Sequence, residues 1–95
     1  MDNPNSGHRG RLLERFEKNG LSALSDHEII ELLLTYVLPR RDLKPIAKKL
    51  LAAFSTVNGV LSAQAADLMK VAGIGSRAAH FFVLFKEVMS HCLRE

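Results

Sequence analysis

The feature that most constrains the fold of this chain is a pair of glycines, Gly73 and Gly75, between two stretches with helical hydrophobic periodicity. Glycine adopts positive φ at little steric cost, so Gly73 can end the first helix in a tight turn. Ile74 is expected to anchor that turn on the core, and Ser76 is predicted to cap the next helix. The stretch therefore predicts two helices joined by a short backbone turn.

The start of the second of these helices suits an anion. The first N–H groups of a helix have no partner within it, and the helix dipole is positive there. Gly75 has no Cβ, so its backbone N–H is open to close approach from outside. We therefore predict a phosphate site formed by Lys70, Gly73, Gly75, Ser76 and Arg77. The alternative is a glycine-capped turn between two core helices that binds nothing.

The segment 71–75, Val-Ala-Gly-Ile-Gly, followed by Ala79, resembles the helix-hairpin-helix motif, whose pattern is apolar-x-Gly-apolar-Gly-x-x-x-Ala. In that family the hairpin amides hold a backbone phosphate of DNA without reading its sequence. The resemblance implies a DNA-binding module that is not sequence-specific. The family also binds a monovalent cation on loop carbonyls, which by motif position are those of Met69, Val71 and Ile74.

The rest of the chain shows helical periodicity and no lasting β alternation, which predicts an all-α, compact bundle of five to six short helices. Ser25 and Glu28 have the spacing of a capping box at the start of a nearly buried helix that ends near Val37. The other helices are expected at about 8–18, 43–54, 56–61, 65–70 and 77–93. Residues 1–7 are expected to be a disordered lead-in, and 8–95 a single helix-hairpin-helix domain.

Several side-chain placements follow from these helices. Asp42 is expected to cap the helix 43–54, and Pro45 falls in its first turn, where a missing N–H costs little. Glu31 lies on the polar stripe of the nearly buried helix, so we expect it to be solvated. Cys92 falls on the apolar face of the last helix, and a lone cysteine there is expected to pack in the core.

Nearly the whole chain resembles the N-terminal region of the RadC family of bacterial proteins. The resemblance is carried by residues 7–51, above all LLLTYVLPRRD at 32–42, and by VLSA at 60–63 and KVAGIG at 70–75. It implies a domain similar to the second domain of RuvA, built from tandem helix-hairpin-helix units, and an association with DNA repair. In the full-length family a C-terminal metalloprotease-like domain with a His-x-His zinc motif follows. This chain contains no such motif, so we expect it to correspond to the N-terminal region alone.

The first of the two implied hairpins, at 38–43, departs from the glycine pattern. Aligning Ala47 with Ala79 places Leu43 at the position of Gly75, so side chains replace bare backbone at this tip and the first unit is degenerate. Basic side chains there still offer phosphate contacts. The additional candidate DNA contacts are Arg40, Arg41, Lys44 and Lys48. The alternative for this basic stripe is an ordinary solvated face.

Composition limits the remaining functions. The net charge of +3 and a pI near 9.4 allow a nucleic-acid partner without requiring one. The single cysteine excludes an internal disulfide and fits a reducing compartment, so a cytoplasmic location is expected. No apolar stretch approaches the roughly 20 residues of a membrane span, and no membrane association is expected. The four histidines and the cysteine lack zinc-site spacing, so we expect no metal centre, no cofactor and no enzymatic activity.

Two functions of different class remain. The first is a DNA-binding module that contacts phosphate through the Gly73–Gly75 hairpin. The second is a helical protein-interaction domain that has kept the fold and lost DNA binding. The second hairpin favours the first function, whereas the degenerate first hairpin and the modest net charge favour the second.

Overall fold

The computed structural model describes residues 4–39 and 42–95. Two of the candidate DNA contacts, Arg40 and Arg41, lie outside the described residues, as do residues 1–3 of the predicted lead-in. The described elements, in chain order, are α1 (Pro4–Asn19), a 3-10 turn (Leu21–Ala23), α2 (Asp26–Leu34), α3 (Lys44–Phe54), α4 (Val57–Ser62), α5 (Ala65–Leu68) and α6 (Ser76–Arg94). No strand occurs among these residues, so the prediction of an all-α bundle of five to six helices is confirmed.

One hydrophobic core joins α2, α3, α4, α5 and α6, and its largest side chains, Phe82 and Leu50 among them, are completely buried. The spacing of Leu43, Ile46, Ala47, Leu50 and Phe54 predicts one core face on α3. This face is confirmed, since the first four residues are buried and Phe54 is partly buried against the core. A second, smaller cluster of Leu12, Leu24 and Leu32 attaches α1 to α2. None of the described helices is both long and apolar enough to cross a bilayer.

Two of the predicted helix caps are wrong by one residue. Gly75, not Ser76, is the N-cap of α6, and Leu43, not Asp42, is the N-cap of α3. Leu43 is 2% exposed, so the core fixes its position and with it the start of α3. Burial of an apolar side chain is worth about 1.5–3 kcal/mol, more than the typical gain of about 1 kcal/mol from a polar cap.

The start of α2 is attached to α1 by an ion pair. The predicted capping box is present, and the Ser25 N–H donates to Glu28 Oε1 at 3.0 Å. Arg15 Nη1 donates to Glu28 Oε2 at 2.9 Å, and Arg15 Nη2 donates to the Ala23 carbonyl at 2.6 Å. The Arg15 guanidinium, together with the Ser25 N–H, lowers the pKa of Glu28 to about 2. The capping-box spacing predicted the cap, whereas Arg15, thirteen residues away, gave no local signal.

Three side chains differ from their predicted environments. Glu31 is buried rather than solvated, because α2 packs against α1, α3 and α4 and little of its surface is left uncovered. Tyr36, which the periodicity placed on the buried part of that helix, is 68% exposed because α2 ends at Leu34. Cys92 is exposed rather than packed, because the last buried residue of α6 is Phe82, almost three turns earlier.

Candidate nucleic-acid interface

Two helical hairpins contain the predicted site residues. Hairpin one consists of α2, the connection 35–43 and α3, and hairpin two consists of α5, the connection 69–75 and α6. At the tip of hairpin two, Gly73 has φ of +97°, the left-handed conformation that the sequence predicted. Ile74 is 5% exposed and its N–H donates to the Val71 carbonyl at 3.0 Å, so the turn is anchored on the core.

The N-cap of α6 is open to the outside. Gly75 is exposed and extended, with φ −94° and ψ −171°, and a Cβ added there would meet no other atom within 4 Å. No side chain caps the helix, so the first-turn N–H groups of Ser76, Arg77 and Ala78 have no partner within α6. The Ala79 N–H donates to the Gly75 carbonyl at 3.0 Å and closes the first helical turn.

The side chains around this N-cap differ in how well they can serve an anion. Arg77 is exposed and forms no ion pair in the described part of the chain. Lys70 Nζ lies 3.2 Å from Asp67 Oδ1, so a neighbouring carboxylate offsets part of its charge. His80 Nδ1 lies 2.8 Å from the Ser76 carbonyl oxygen and 3.2 Å from its Oγ. Neither Asp67 nor His80 was included in the predicted site, because the motif pattern has no position for them.

The tips of the two hairpins border the same groove. Arg77 lines a cavity of about 410 Å³ together with residues 35–39, at the end of hairpin one. We call this cavity the tip groove. Lys44 and Lys48 are exposed on α3, a different helix from the one that carries Arg77. Arg77 of hairpin two therefore lies beside residues 35–39 of hairpin one.

Hairpin one has the same register as hairpin two, but its N-cap residue is buried. Ala47 N–H donates to the Leu43 carbonyl at 2.9 Å, the same N-cap contact that Ala79 makes with Gly75. The predicted alignment of the two hairpins is therefore confirmed. At the equivalent N-cap, Leu43 is buried where Gly75 is exposed. The tip of hairpin one thus presents a core side chain, not bare backbone, at this position.

A family model described as "UPF0758 N-terminal" matches residues 6–80, a range that includes both hairpin tips. The chain belongs to this family. The resemblance to the N-terminal region of the RadC family is confirmed, since the family is that region. The match ends at His80, near the start of α6, so most of the last helix lies beyond it.

The relatives are longer proteins that carry the same name. A UPF0758 protein of Fusobacterium nucleatum is 43% identical over 86 residues, covering 90% of this chain and 37% of that protein. UPF0758 proteins of Ruegeria pomeroyi and Rhodobacter capsulatus are 47% and 45% identical over 72% and 67% of this chain, and 30% of each relative is covered. The chain thus spans about a third of the length of these curated relatives. No solved structure matches it.

The predicted monovalent-cation site and the predicted absence of a metal centre both stay predictions. Of the carbonyls predicted to hold a monovalent cation, those of Met69, Val71 and Ile74, the Val71 carbonyl already accepts one hydrogen bond. A carbonyl oxygen has a second lone pair, so this bond does not prevent cation binding. Within residues 4–39 and 42–95, no three His, Cys, Asp or Glu side chains are grouped so as to hold a metal ion.

Proposed function

We propose that this chain is a DNA-binding module that is not sequence-specific and that contacts a backbone phosphate at the N-terminus of α6. The observation that carries the proposal is the open N-cap at Gly75, beside the exposed Arg77. The first-turn amides of Ser76 and Arg77 are proposed to donate to phosphate oxygens, and the Arg77 guanidinium to add a charged contact.

The geometry at Gly75 supports this assignment in two ways. Its φ of −94° is accessible to every residue type, so the backbone conformation does not require glycine. No atom of the chain lies where its Cβ would be, so internal packing does not require glycine either. A phosphate oxygen must come within about 3 Å of an amide nitrogen to form a hydrogen bond, and the lack of a side chain permits that approach.

The distribution of charge argues for weak binding. The net charge is only +3, and Lys70 is paired with Asp67, which leaves Arg77 as the unpaired cation among the predicted residues of hairpin two. We expect a dissociation constant in the range of about 10⁻⁴–10⁻⁶ M at physiological salt, typical of contacts with the phosphate backbone alone. Backbone amides see only phosphate, so affinity should not depend on base sequence.

The proposed cellular role follows the family resemblance. We place the module in the bacterial cytoplasm, in association with DNA repair. In the longer relatives we propose that it brings a C-terminal metalloprotease-like domain to DNA. The module itself is proposed to have no catalytic activity.

Fluorescence anisotropy with two labelled duplexes of unrelated sequence tests the proposal. We expect equal affinity for both duplexes and a steep loss of affinity as salt is raised. A tenfold or larger preference for one sequence would contradict contact through backbone phosphate alone.

The absence of catalysis is tested separately. Supercoiled and nicked DNA incubated with the chain and Mg²⁺, Mn²⁺ or Zn²⁺ should remain intact on a gel. Metal-dependent cleavage that co-elutes with the chain through successive columns would overturn this part of the proposal.

A helical protein-interaction domain is the second candidate. It is favoured by the buried N-cap residue of hairpin one, Leu43, and by the Lys70–Asp67 pair in hairpin two. The two candidates separate at low ionic strength, where backbone contacts are strongest. Absence of any anisotropy change there, with the fold intact by circular dichroism, would select the second candidate.

A further inference from the structure

The tip groove is lined by an aromatic ring and by a cation. Tyr36 and Arg77 both line this cavity of about 410 Å³, and both side chains are exposed. The groove residues that follow Tyr36, 37–39, are apolar. Cavities that hold small ligands have volumes of about 300–1,000 Å³. The tip groove therefore has room for a planar ring beside Tyr36 and for an anion beside Arg77.

Neither of these two side chains is engaged by a comparable partner within the described part of the chain. The aromatic pairs there are Phe81–Phe82 and Phe81–Phe85, and Tyr36 belongs to neither. Arg77 is outside the ion pairs of the same residues. One exposed aromatic side chain needs no explanation by itself. An aromatic ring together with a cation in one groove, however, is the combination that holds single-stranded nucleic acid, in which bases stack on the ring and the cation contacts phosphate.

The connection of hairpin one also runs close to the proposed phosphate site. Val37, the residue after Tyr36, lines a second cavity together with Ser76 and Arg77. The first-turn amides of these two α6 residues are the proposed phosphate donors. Because the connection and the N-terminus of α6 are neighbours, one DNA strand can contact both of them at the same time.

We propose that the tip groove takes an unpaired nucleotide of DNA, whose base stacks on Tyr36 while the adjoining phosphate contacts Arg77 and the N-terminus of α6. This inference rests on the proposed function and makes it more specific, because it names single-stranded DNA as the favoured form. In a duplex both faces of each base are covered by stacked neighbours, so Tyr36 has no base face to contact. The phosphate contacts serve both forms of DNA, whereas Tyr36 serves only the single strand.

Stacking in this groove agrees with binding that does not depend on base sequence. Every base has a face that can stack, so an aromatic ring accepts all four bases. The other hydroxyl of the groove, Thr35 Oγ1, donates to the Leu32 carbonyl at 2.6 Å, so its O–H is already used within the chain. We therefore expect the preference to follow the unpaired state of the base and not its identity.

Fluorescence anisotropy at one salt concentration tests the preference with a labelled single strand that cannot fold on itself and a duplex of equal length. The parent should bind the single strand about fivefold more tightly than the duplex, or more. Tyr36→Ala should lower single-strand affinity by about the same factor and leave duplex affinity unchanged. The matched control is Tyr36→Phe, which keeps the ring and should keep the preference.

A second measurement observes the ring directly and needs no variant. Tyr36 is the only tyrosine of the chain, and the chain contains no tryptophan, so tyrosine fluorescence reports this ring alone. A base stacked on the ring should quench its emission, with the dissociation constant that anisotropy gives for the single strand. A duplex of equal absorbance should quench it much less. Free tyrosine titrated with the same DNA corrects both curves for absorbed light.

The outcomes separate this inference from the proposed function. If the parent binds duplex as tightly as single strand, if Tyr36→Ala keeps full single-strand affinity, or if saturating single strand leaves the emission unquenched, Tyr36 does not stack on a base. Duplex binding in any of these cases leaves the phosphate site in place. A parent that binds neither form of DNA would overturn both. The variants should keep their helical circular dichroism, because Tyr36 is exposed and lies after the end of α2.

Discussion

Hairpin one and hairpin two place their second helices on the core in the same way and differ at their tips. Ala47 and Ala79 are both completely buried, and each donates its N–H to the carbonyl of an N-cap residue. That N-cap is the buried Leu43 in hairpin one and the exposed Gly75 in hairpin two. The N-cap residue is thus packed in the core in hairpin one, and the equivalent residue is exposed to solvent in hairpin two.

The difference extends one step into the helix. Two residues after the N-cap, hairpin one has Pro45 and hairpin two has Arg77. Proline has no N–H, so α3 offers one amide fewer in its first turn than α6 does. In the first turn of its second helix, hairpin one therefore lacks the amide and the guanidinium that Arg77 supplies in hairpin two, and its N-cap residue is buried. The comparison indicates that a repeated hairpin can keep its packing while losing the features that suit it to an anion.

The largest expected effect concerns stability, at the N-cap of hairpin one. Leu43→Ala should lower the free energy of unfolding by about 2–5 kcal/mol, because it leaves a cavity under a side chain that is 2% exposed. Gly75→Ala, at the equivalent position, should change it by less than about 0.5 kcal/mol, since the new methyl group meets no atom. Urea denaturation of both variants measures this. If Leu43→Ala and Gly75→Ala lower the free energy of unfolding by similar amounts, the two N-cap positions do not differ in their contribution to stability.

The next effect concerns DNA affinity, at the N-cap of hairpin two. Gly75→Asp should lower affinity more than tenfold, because a carboxylate would occupy the place of the phosphate and repel it. The fold should be retained or slightly stabilised, since aspartate is a favoured N-cap residue and the φ of −94° suits it. Anisotropy and urea denaturation, performed on the same preparation, separate the two properties. Unchanged affinity in this variant would exclude the N-terminus of α6 as the phosphate site.

A smaller effect is expected from the charged side chains. Arg77→Ala should weaken binding and reduce the slope of log K against log salt by about one unit, as the loss of one phosphate contact does. Lys44→Ala and Arg41→Ala should have smaller effects, because hairpin one is proposed to be structural. Salt titrations of the three variants, each with its fold checked by circular dichroism, make the comparison. Loss of binding in Arg41→Ala together with parental binding in Arg77→Ala would reverse the assignment.

The sequence predicted the features that depend on local chemistry. The left-handed Gly73, the capping box at Ser25 and the core face of α3 each follow from residue type and spacing, and each is present. The alignment of the two hairpins could also be predicted from the sequence, because Ala47 and Ala79 lie at equivalent positions and both are buried. The anchoring of Ile74 belongs with these, since an apolar residue between two glycines has few other places to lie.

The features that the sequence did not predict depend on contacts between distant residues. Glu31 is buried because α1, α3 and α4 all pack against α2. The hydrophobic periodicity of α2 alone does not predict this packing. Glycine has a low helix propensity, so Gly59 by itself predicts a weak helix at α4. A Cβ there would overlap the carbonyl oxygen of Phe54, however, so the close approach of α4 to the end of α3 requires glycine. An apolar cavity of about 490 Å³ between α1, the 3-10 turn, α2, α4 and α6 was missed for the same reason, since its walls come from elements far apart in the sequence. The ion pair between Arg15 and Glu28 was also not predicted, because the two residues are thirteen positions apart in the sequence.

The smallest predicted effect tests how hairpin one is attached to α1. Arg15 and the Ser25 N–H lower the pKa of Glu28 from 4.5 to about 2, so the folded state favours the ionised carboxylate. This contribution to stability is fully present above pH 4.5 and is lost as the pH falls from there towards 2. It should be small, because the Arg15 side chain is 44% exposed and solvent screens the pair. Among the described residues, the ion pairs of hairpin two, Lys70–Asp67 and His91–Glu95, each join residues three or four positions apart, so neither attaches this hairpin to α1.

Glu28→Gln should therefore flatten the fall in stability between pH 4.5 and 2, measured by urea denaturation at a series of pH values. The amide keeps the shape of the side chain but does not change its charge over this range. The control is Glu17→Gln, which alters an exposed carboxylate of α1 outside the capping box and should retain the parental pH dependence. If Glu28→Gln and the parent lose stability in parallel as the pH falls, the ion pair does not attach hairpin one to α1. Hairpin one would then be attached to α1 by hydrophobic packing alone, through the cluster of Leu12, Leu24 and Leu32.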